Sequence, residues 1–326
     1  MEIERKALYN LMRMNWLADS TMSVEPWQVE DYRNLQAVEI YERLFSQGLK
    51  LDKEHFLSFA NEVDTPEELT DLLLDDVEPP GPVIYDQIYL LLFELWRRFA
   101  SDRPCLSIFC DELDKQMHLY DLGKPESAES IQDAIANLQT ILDENTDKGA
   151  DPHDVFKLIT SNCAHDLESF LYDYISDQLD NGNEVYASDL LDGFKGYISD
   201  VRWFEFLQTR LMMLSPKSDG NRHLERLIDH YGDDRDLEFN LEVLAFMVKA
   251  GNRELFAKLV KKTLPLVEVE RDFLDLLDIC ADFYHFLDME PQERAIKKIM
   301  TKRAHFHIES VLHPKDLMLG ELRAIL

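Results

Sequence analysis

Apolar residues recur at three- and four-residue steps along most of the chain, which is the spacing of one face of an α-helix. The stretch 29–48 is typical, and Gly48 ends its predicted helix. The two shortest strand candidates, CLSIF and EVYAS, lie inside longer helical patterns, so the sequence predicts an all-α fold. The apolar positions of the typical stretch are Tyr32, Leu35, Val38, Tyr41, Leu44 and Phe45.

Helix start signals separate these segments. Thr65-Pro66 followed by Glu68 has the residues of a capping box, with proline at the first helical position. Asp151-Pro152 and Ser215-Pro216 repeat the cap-then-proline arrangement, and Asn252 after Gly251 is a further predicted cap. The segments between breaks are roughly 12–20 residues long, the usual length of a globular helix. Because a helix with one apolar face must pack on a neighbour, we expect stacked antiparallel helix pairs.

The strongest break is Pro79-Pro80-Gly81-Pro82, which cannot be helical throughout and follows an acidic run. It predicts a small N-terminal helical unit over residues 1–80 and a helical array over residues 81–326. When the chain is shifted by 78 residues, CDELD aligns with SDLLD. A shift of 78 residues is close to two periods of about 40 residues, the length of a HEAT-type repeat. The array is therefore interpreted as an α-solenoid of HEAT or tetratricopeptide type, although ordinary helix composition can produce the same alignment. Docking of the N-terminal unit on the array is left open.

Composition supports a helical, well-packed protein. Apolar residues make up 45% of the 326 residues, enough for a substantial core. The chain has only 11 glycines, and because tight β-turns require glycine, this scarcity disfavours a sandwich or barrel. The longest apolar run, Ile88–Phe93, is too short to cross a bilayer.

Charge narrows the choice of partners. The formal net charge is −30, of which residues 50–249 contribute −26 through 43 acidic and 17 basic side chains. Affinity for nucleic acid depends on Lys and Arg that neutralise phosphates, so direct binding to nucleic acid is disfavoured, as is binding to an anionic membrane. A protein with a basic surface is the expected partner.

Cysteine usage and the N-terminus indicate a cytoplasmic protein. The four cysteines are not spaced as a zinc site, so they are interpreted as free thiols in a reducing compartment. The segment MEIERKALYN has no apolar signal core. No cofactor is predicted. The cysteines are Cys105, Cys110, Cys163 and Cys280.

The segment DFLDLLDICADFYHF, residues 272–286, indicates whether the acidic residues bind a metal ion or only face solvent. At about 100° per residue, its aspartates fall on one side of a helix and its apolar residues on the other. Metal-binding carboxylates of a helical bundle point inward instead. The sequence therefore predicts that Asp272, Asp275, Asp278 and Asp282 form a solvated face.

The loop DENTDKGADPHD has the ligand rhythm of an EF-hand calcium loop. Its glycine comes one position late and its twelfth residue is Asp instead of Glu. A turn rich in helix-capping residues is the simpler interpretation. The calcium alternative would use Asp143, Asn145, Asp147, Asp151 and Asp154.

A second chemical alternative is a helical metal-dependent hydrolase. The pair His165-Asp166 would supply ligands together with an upstream histidine, either His118 or His153. Serine and cysteine nucleophile motifs and phosphate-binding glycine loops are absent from the sequence.

Basic residues form two groups near the end of the chain. They predict a positive surface for partner binding if two successive helices bring them together. The alternative is that they solvate outer faces and interact with helix C-termini. The residues are Lys258, Lys261, Lys262, Lys297, Lys298, Lys302 and Arg303.

These observations predict a non-enzymatic, cytoplasmic module that binds another protein as a scaffold, adaptor or chaperone-like protein. Trp27, Trp96 and Trp203 are candidate anchors for a partner if they are exposed, and core residues otherwise. A metal-dependent hydrolase and an acidic mimic of nucleic acid are the alternatives. The sequence does not define the oligomeric state.

Overall fold

A computed structural model describes residues 3–75, 81–124, 129–214, 220–250 and 252–326. Within these ranges the chain forms 17 α-helices and no strand, and the prediction of an all-α fold of stacked antiparallel helix pairs is confirmed. A single β-bridge joins Val269 and Val311. No helix of the described ranges combines the length and apolar character required to cross a bilayer.

The helices are numbered in chain order, and three short 3₁₀ turns lie at Pro26–Gln28, Tyr32–Asn34 and Leu264–Leu266. Their bounds are α1 Arg5–Ala18, α2 Ala37–Ser46, α3 Lys53–Ala60, α4 Pro66–Leu74, α5 Pro82–Phe99, α6 Leu106–Asp121, α7 Ser130–Asp147, α8 Pro152–Ser161, α9 Leu167–Asp180, α10 Glu184–Phe194, α11 Val201–Leu214, α12 Gly220–Tyr231, α13 Leu237–Ala250, α14 Arg253–Thr263, α15 Glu270–Phe286, α16 Glu290–Arg303 and α17 Leu317–Ile325.

The helices form two compact units. Unit 1 contains Met1–Leu171 and Gly196–Ile198, and unit 2 contains Tyr172–Lys195 and Ser199–Leu326. This division does not coincide with the border predicted at residues 80/81, where Pro79 and Pro80 lie outside the described residues. Helices from both sides of that position share one apolar core in unit 1. Its most deeply buried members include Ile40, Phe56, Leu69, Leu92, Leu95 and Trp96.

Helix starts follow the predicted capping residues. The Thr65 hydroxyl accepts a hydrogen bond from the Glu68 backbone N–H at 3.2 Å, and Asn252 likewise caps α14. The Glu68 carboxylate accepts from the Asp64 N–H at 2.8 Å, and this donor lies one residue before Thr65, the donor that a capping box predicts. Asp151 caps α8 by accepting from two backbone N–H groups. The predicted cap Ser215 lies outside the described residues.

The acidic rhythm of α15 is amphipathicity, as predicted. Asp275, Asp278 and Asp282 are exposed, and Asp272 is half-buried. The opposite face lies in the core of unit 2, where the rings of Phe256 and Phe283 stack with centroids 3.7 Å apart. Other core residues of α15 are Phe273, Leu276, Leu277, Cys280 and Tyr284.

A buried arginine joins the last three helices of unit 2. The side chains of Arg303 and Glu270 are 3% and 2% exposed and form a two-pronged ion pair. Arg303 also donates from Nη1 to the Asp316 carboxylate at 2.6 Å. Arg303 therefore does not belong to the surface that the sequence suggested for partner binding, because its guanidinium is used inside the protein.

We expect Arg303→Ala to destabilise the protein by about 3–5 kcal/mol, because the Glu270 carboxylate would remain buried without its cation. Urea unfolding followed by circular dichroism measures the change. The matched control is Arg294→Ala, which removes an exposed ion pair to Glu290 within α16 and should have little effect. Equal effects of the two substitutions would contradict the structural role of Arg303.

Candidate functional site

Unit 1 contains an open cleft of about 570 Å³ along α1 and α6. Its polar residues come from earlier turns of α1 and α6 than its apolar residues, which gives the cleft a polar end and an apolar end. It is also lined by Asp31, Arg33 and Asn34 from the second 3₁₀ turn and the residue before it, and by Arg97 from α5. The remaining polar lining residues are Asn10, Arg13, Asp111, Asp114, Lys115 and His118, and the apolar lining residues are Met14, Leu17, Leu119 and Leu122.

Helical spacing brings these side chains to the cleft. On α6, Asp111, Asp114 and His118 follow each other at three- and four-residue steps and therefore share a face. On α1, Lys6, Asn10 and Arg13 have the same spacing. The two faces meet because α1 packs on α6.

Asp111 is a buried carboxylate, 4% exposed, that is held by donors from two other segments. It contacts Lys6 Nζ at 2.7 Å, accepts from Asn10 Nδ2 at 3.0 Å, and forms an ion pair with Arg33. Burial alone would raise the pKa of Asp111, but the charges of Lys6 and Arg33 outweigh it and lower that pKa to about 2. Asp111 is therefore ionised at neutral pH.

Asp114 is buried one turn further along α6 and anchors the loop before α9. Its carboxylate accepts from the backbone N–H groups of Ala164 and His165 at 2.8 and 3.1 Å. The His165 ring contacts the same carboxylate through Nδ1 at 3.1 Å. A carboxylate that receives this many donors orients the imidazole and is itself satisfied.

The other face of His165 adjoins a histidine and a second carboxylate. Its Nε2 is buried, makes no hydrogen bond within the described chain, and lies 3.7 Å from Asp121 Oδ2. The His118 ring is centred 6.2 Å from the His165 ring. Burial and then the charge of His165 lower the pKa of His118, which makes a neutral His118 ring the form present at neutral pH.

Three arginines line the cleft, and each is paired with a carboxylate. Arg13 Nη2 lies 2.8 Å from Asp31, and Arg33 donates to Glu112 at 2.8 Å as well as to Asp111. Arg97 binds the buried Glu94 through two nitrogens. Burial would raise the pKa of Asp31, but the hydrogen bond and charge of Arg13 outweigh burial and lower it.

The predicted calcium loop is not formed. Asp143, Asn145 and Asp147 lie inside α7, where side chains two residues apart point in different directions. The Asp143 carboxylate accepts from the Tyr197 hydroxyl at 2.6 Å, and the Asn145 amide donates to the Ile141 carbonyl at 2.7 Å. Asp151 caps α8 and Asp154 is in its first turn. The alternative prediction of a turn with capping residues holds only for residues 148–151, between α7 and α8, where Asp151 is the cap.

Of the histidines and the aspartate suggested for a hydrolase, only His118 and His165 come together, with ring centroids 6.2 Å apart. His153 Nδ1 lies 3.2 Å from the Tyr197 carbonyl oxygen, whereas His165 contacts Asp114. Asp166 caps α9 by accepting from the backbone N–H of Glu168 at 3.1 Å. Among the residues that the structure describes, no group of three or more His, Cys, Asp or Glu side chains could hold a metal ion.

The first basic group lies on α14, which packs on α12 and α13. Lys258 forms an ion pair with Asp229, and Lys262 Nζ lies 2.8 Å from Asp233, so both lysines link α14 to the α12 side. Lys261 is exposed.

The second basic group lies on α16, which packs on α15 and α17. Lys297 pairs with Glu293 at 2.6 Å and Lys302 with Glu321 at 3.0 Å, whereas Lys298 is exposed. Most of the predicted basic surface is therefore engaged in ion pairs with neighbouring acids.

Sequence reasoning missed the cleft. The available signal was the spacing of Asp111, Asp114 and His118 on one helical face.

Comparison with protein-family models, with curated proteins and with solved structures finds no match to this chain. The fold defines an all-α protein of stacked helix pairs, and its function has to be inferred from the geometry and chemistry of its surfaces.

We expect acid to remove the stabilisation that Asp111 provides. The folded pKa of about 2 lies below the unfolded value of about 3.9, so the contribution is complete above about pH 5 and is lost as the pH falls towards 2. Its size is about 2–3 kcal/mol. Urea unfolding of wild type and Asp111→Asn between pH 7 and pH 2.5 measures the difference in unfolding free energy, which should shrink with acid.

Asp102→Asn is the control, because Asp102 is exposed and its charge should matter little to stability at any pH in this range. A difference between wild type and Asp111→Asn that stays constant over the whole range would rule out the proposed electrostatic role.

Proposed function

We propose that this chain is a non-enzymatic, cytoplasmic module that binds another protein with a basic surface. The observation that supports the proposal best is the acidic stripe of α15, defined here as Asp275, Asp278 and Asp282. These exposed carboxylates lie about one helical turn apart. None of the three forms a hydrogen bond or an ion pair through its side chain within the described chain.

The electrostatics of the stripe favour a cationic partner. Burial, followed by the charges of Asp282 and Asp275, raises the pKa of Asp278. Mutual repulsion of this kind is relieved when a Lys or Arg side chain approaches, so the stripe attracts a basic surface without any internal rearrangement.

An apolar anchor lies beside the stripe. Phe286 is 57% exposed and follows Asp282 by four residues, which places both side chains on the same side of α15. Aromatic side chains of this kind are enriched among residues that dominate binding energy. The tryptophans proposed from sequence are less suitable, because Trp96 is fully buried and Trp27 and Trp203 are half-buried against neighbouring rings.

The cytoplasmic location and the absence of catalysis remain part of the proposal. All four cysteines are free thiols, and Cys110, Cys163 and Cys280 are buried, which suits a reducing compartment. The residues suggested for a hydrolase act instead as helix caps and as anchors of loops, so no observation favours that alternative.

The test compares wild type with a variant in which Asp275, Asp278 and Asp282 are all replaced by Asn. Proteins captured from cytoplasmic extract at about 0.1 M salt are quantified, and the same capture is repeated at about 1 M salt, where exposed charges are screened within about 3 Å. We expect the variant and the high-salt wild type to lose the same basic partner at least tenfold, roughly the effect of losing 1–2 kcal/mol.

A matched control neutralises three exposed acids of unit 1 that form no side-chain hydrogen bond or ion pair in the described chain, through Glu42→Gln, Glu54→Gln and Glu62→Gln. This control should retain the partner. Equal losses in both triple variants would mean that net charge alone decides binding, and full retention by the α15 variant would exclude the stripe as the binding surface.

A further inference from the structure

We propose that the cleft of unit 1 binds a small organic carboxylate that has an apolar body. The cleft volume of about 570 Å³ lies within the range of about 300–1,000 Å³ that is typical of small-molecule sites. The proposal is independent of the partner-binding function, which uses a stripe in the other unit.

The cleft is close to electrically neutral in a strongly negative unit. Unit 1 has 35 Asp and Glu against 14 Lys and Arg, a formal net charge of −21. Five of those 14 basic side chains line the cleft and the small pocket that continues it inward. They are Lys6, Arg13, Arg33, Arg97 and Lys115. The same two pockets are also lined by five acids, Asp31, Asp111, Asp114, Glu30 and Glu94, so their lining is close to neutral. An anion approaching unit 1 is therefore repelled less at this cleft than over the remainder of its negative surface.

The acidic residues of the cleft would not repel a carboxylate ligand strongly, because each is paired with a cation or receives several hydrogen bonds. Asp111 is held by Lys6 and Arg33, and Asp114 by backbone N–H groups and His165. Asp31 is paired with Arg13.

Hydrogen-bond donors remain available at the polar end. Arg13 uses one terminal nitrogen for Asp31, so its Nε and Nη1 make no hydrogen bond within the described chain. The ring nitrogens of His118 are likewise unbonded there. A guanidinium and an imidazole on adjacent helices provide the planar donor pair that suits a carboxylate.

The apolar end of the cleft favours a ligand that carries an apolar group beside its carboxylate. Leu17 is 52% exposed and Leu122 is 53% exposed, and both line the cleft beside Met14 and Leu119. Leu17 follows Arg13 by four residues on α1, so the two side chains share one face of that helix. An aliphatic or aromatic body attached to the carboxylate would remove the apolar surface from water, whereas an inorganic anion would leave it hydrated.

Isothermal titration calorimetry of the full chain tests the proposal with four probes: phenylbutyrate, its neutral amide, acetate and inorganic phosphate. We expect phenylbutyrate to bind at least about tenfold more tightly than each of the other three, because only it has both the charge and the apolar body. An amide that binds as tightly as the acid, or phosphate that binds as tightly as phenylbutyrate, would overturn the assignment.

Substitutions then locate the site. Arg13→Gln should weaken phenylbutyrate about tenfold and leave the weak binding of the amide unchanged, since it removes one charge-assisted contact. Leu122→Asn, at an exposed position that folding tolerates, should weaken the acid and the amide alike. The control is Arg5→Gln, which lies on the same helix, pairs with Asp86 at 3.4 Å and does not line the cleft.

Unchanged affinity in Arg13→Gln, or a loss of the same size in Arg5→Gln, would show that the ligand binds elsewhere or responds only to net charge, and either result overturns the proposal. Absence of saturable binding by any carboxylate up to about 10 mM overturns it as well.

Discussion

The need to pair every buried charge is the constraint on which this structure depends. Amphipathic helices can pack in many combinations, because an apolar face accepts any other apolar face of suitable size. A buried carboxylate accepts far fewer neighbours. Asp111 receives donors from Asn10 and Arg33, which are 101 and 78 residues away in sequence, and any other position of α1 would remove both Asn10 and Lys6 from it. The apolar faces supply the tendency to pack, and the buried charges restrict which helices become neighbours.

The features that could be predicted from sequence are the local ones. Helical periodicity, the caps at Thr65, Asp151 and Asn252, and the outward aspartates of α15 depend on residues within a few positions of each other. The cleft could not be predicted because it combines α1 with α6, and nothing local connects them. The predicted border at residues 80/81 marked a real break in the helical pattern, but a break of this kind does not show whether the flanking helices share a core, as they do here.

The calcium-like loop and Arg303 are two places where a short local pattern does not determine the structure. Residues 143, 145 and 147 have the spacing of calcium ligands in an EF-hand loop. They lie inside α7, however, where side chains two residues apart point in different directions and do not converge on one ion. The sequence places Arg303 in a group of basic residues that includes exposed lysines. Its position in the helical repeat was more informative, because it follows the buried Ile296 and Ile299 by seven and four residues and therefore faces the core.

The excess of acid also explains why the two proposed surfaces differ in character. With 34 bases for 64 acids, at least 30 acids have no cation of their own. The acids of the α15 stripe belong to this excess. They attract a basic protein through long-range electrostatics, whose range becomes shorter as the salt concentration rises. The cleft of unit 1 forms where several cations gather around Asp111 and the buried Glu94, so its recognition of an anion depends on short contacts in a partly enclosed site. The pairing of buried groups therefore leaves both an acidic surface on α15 and a cleft in unit 1 whose charges balance.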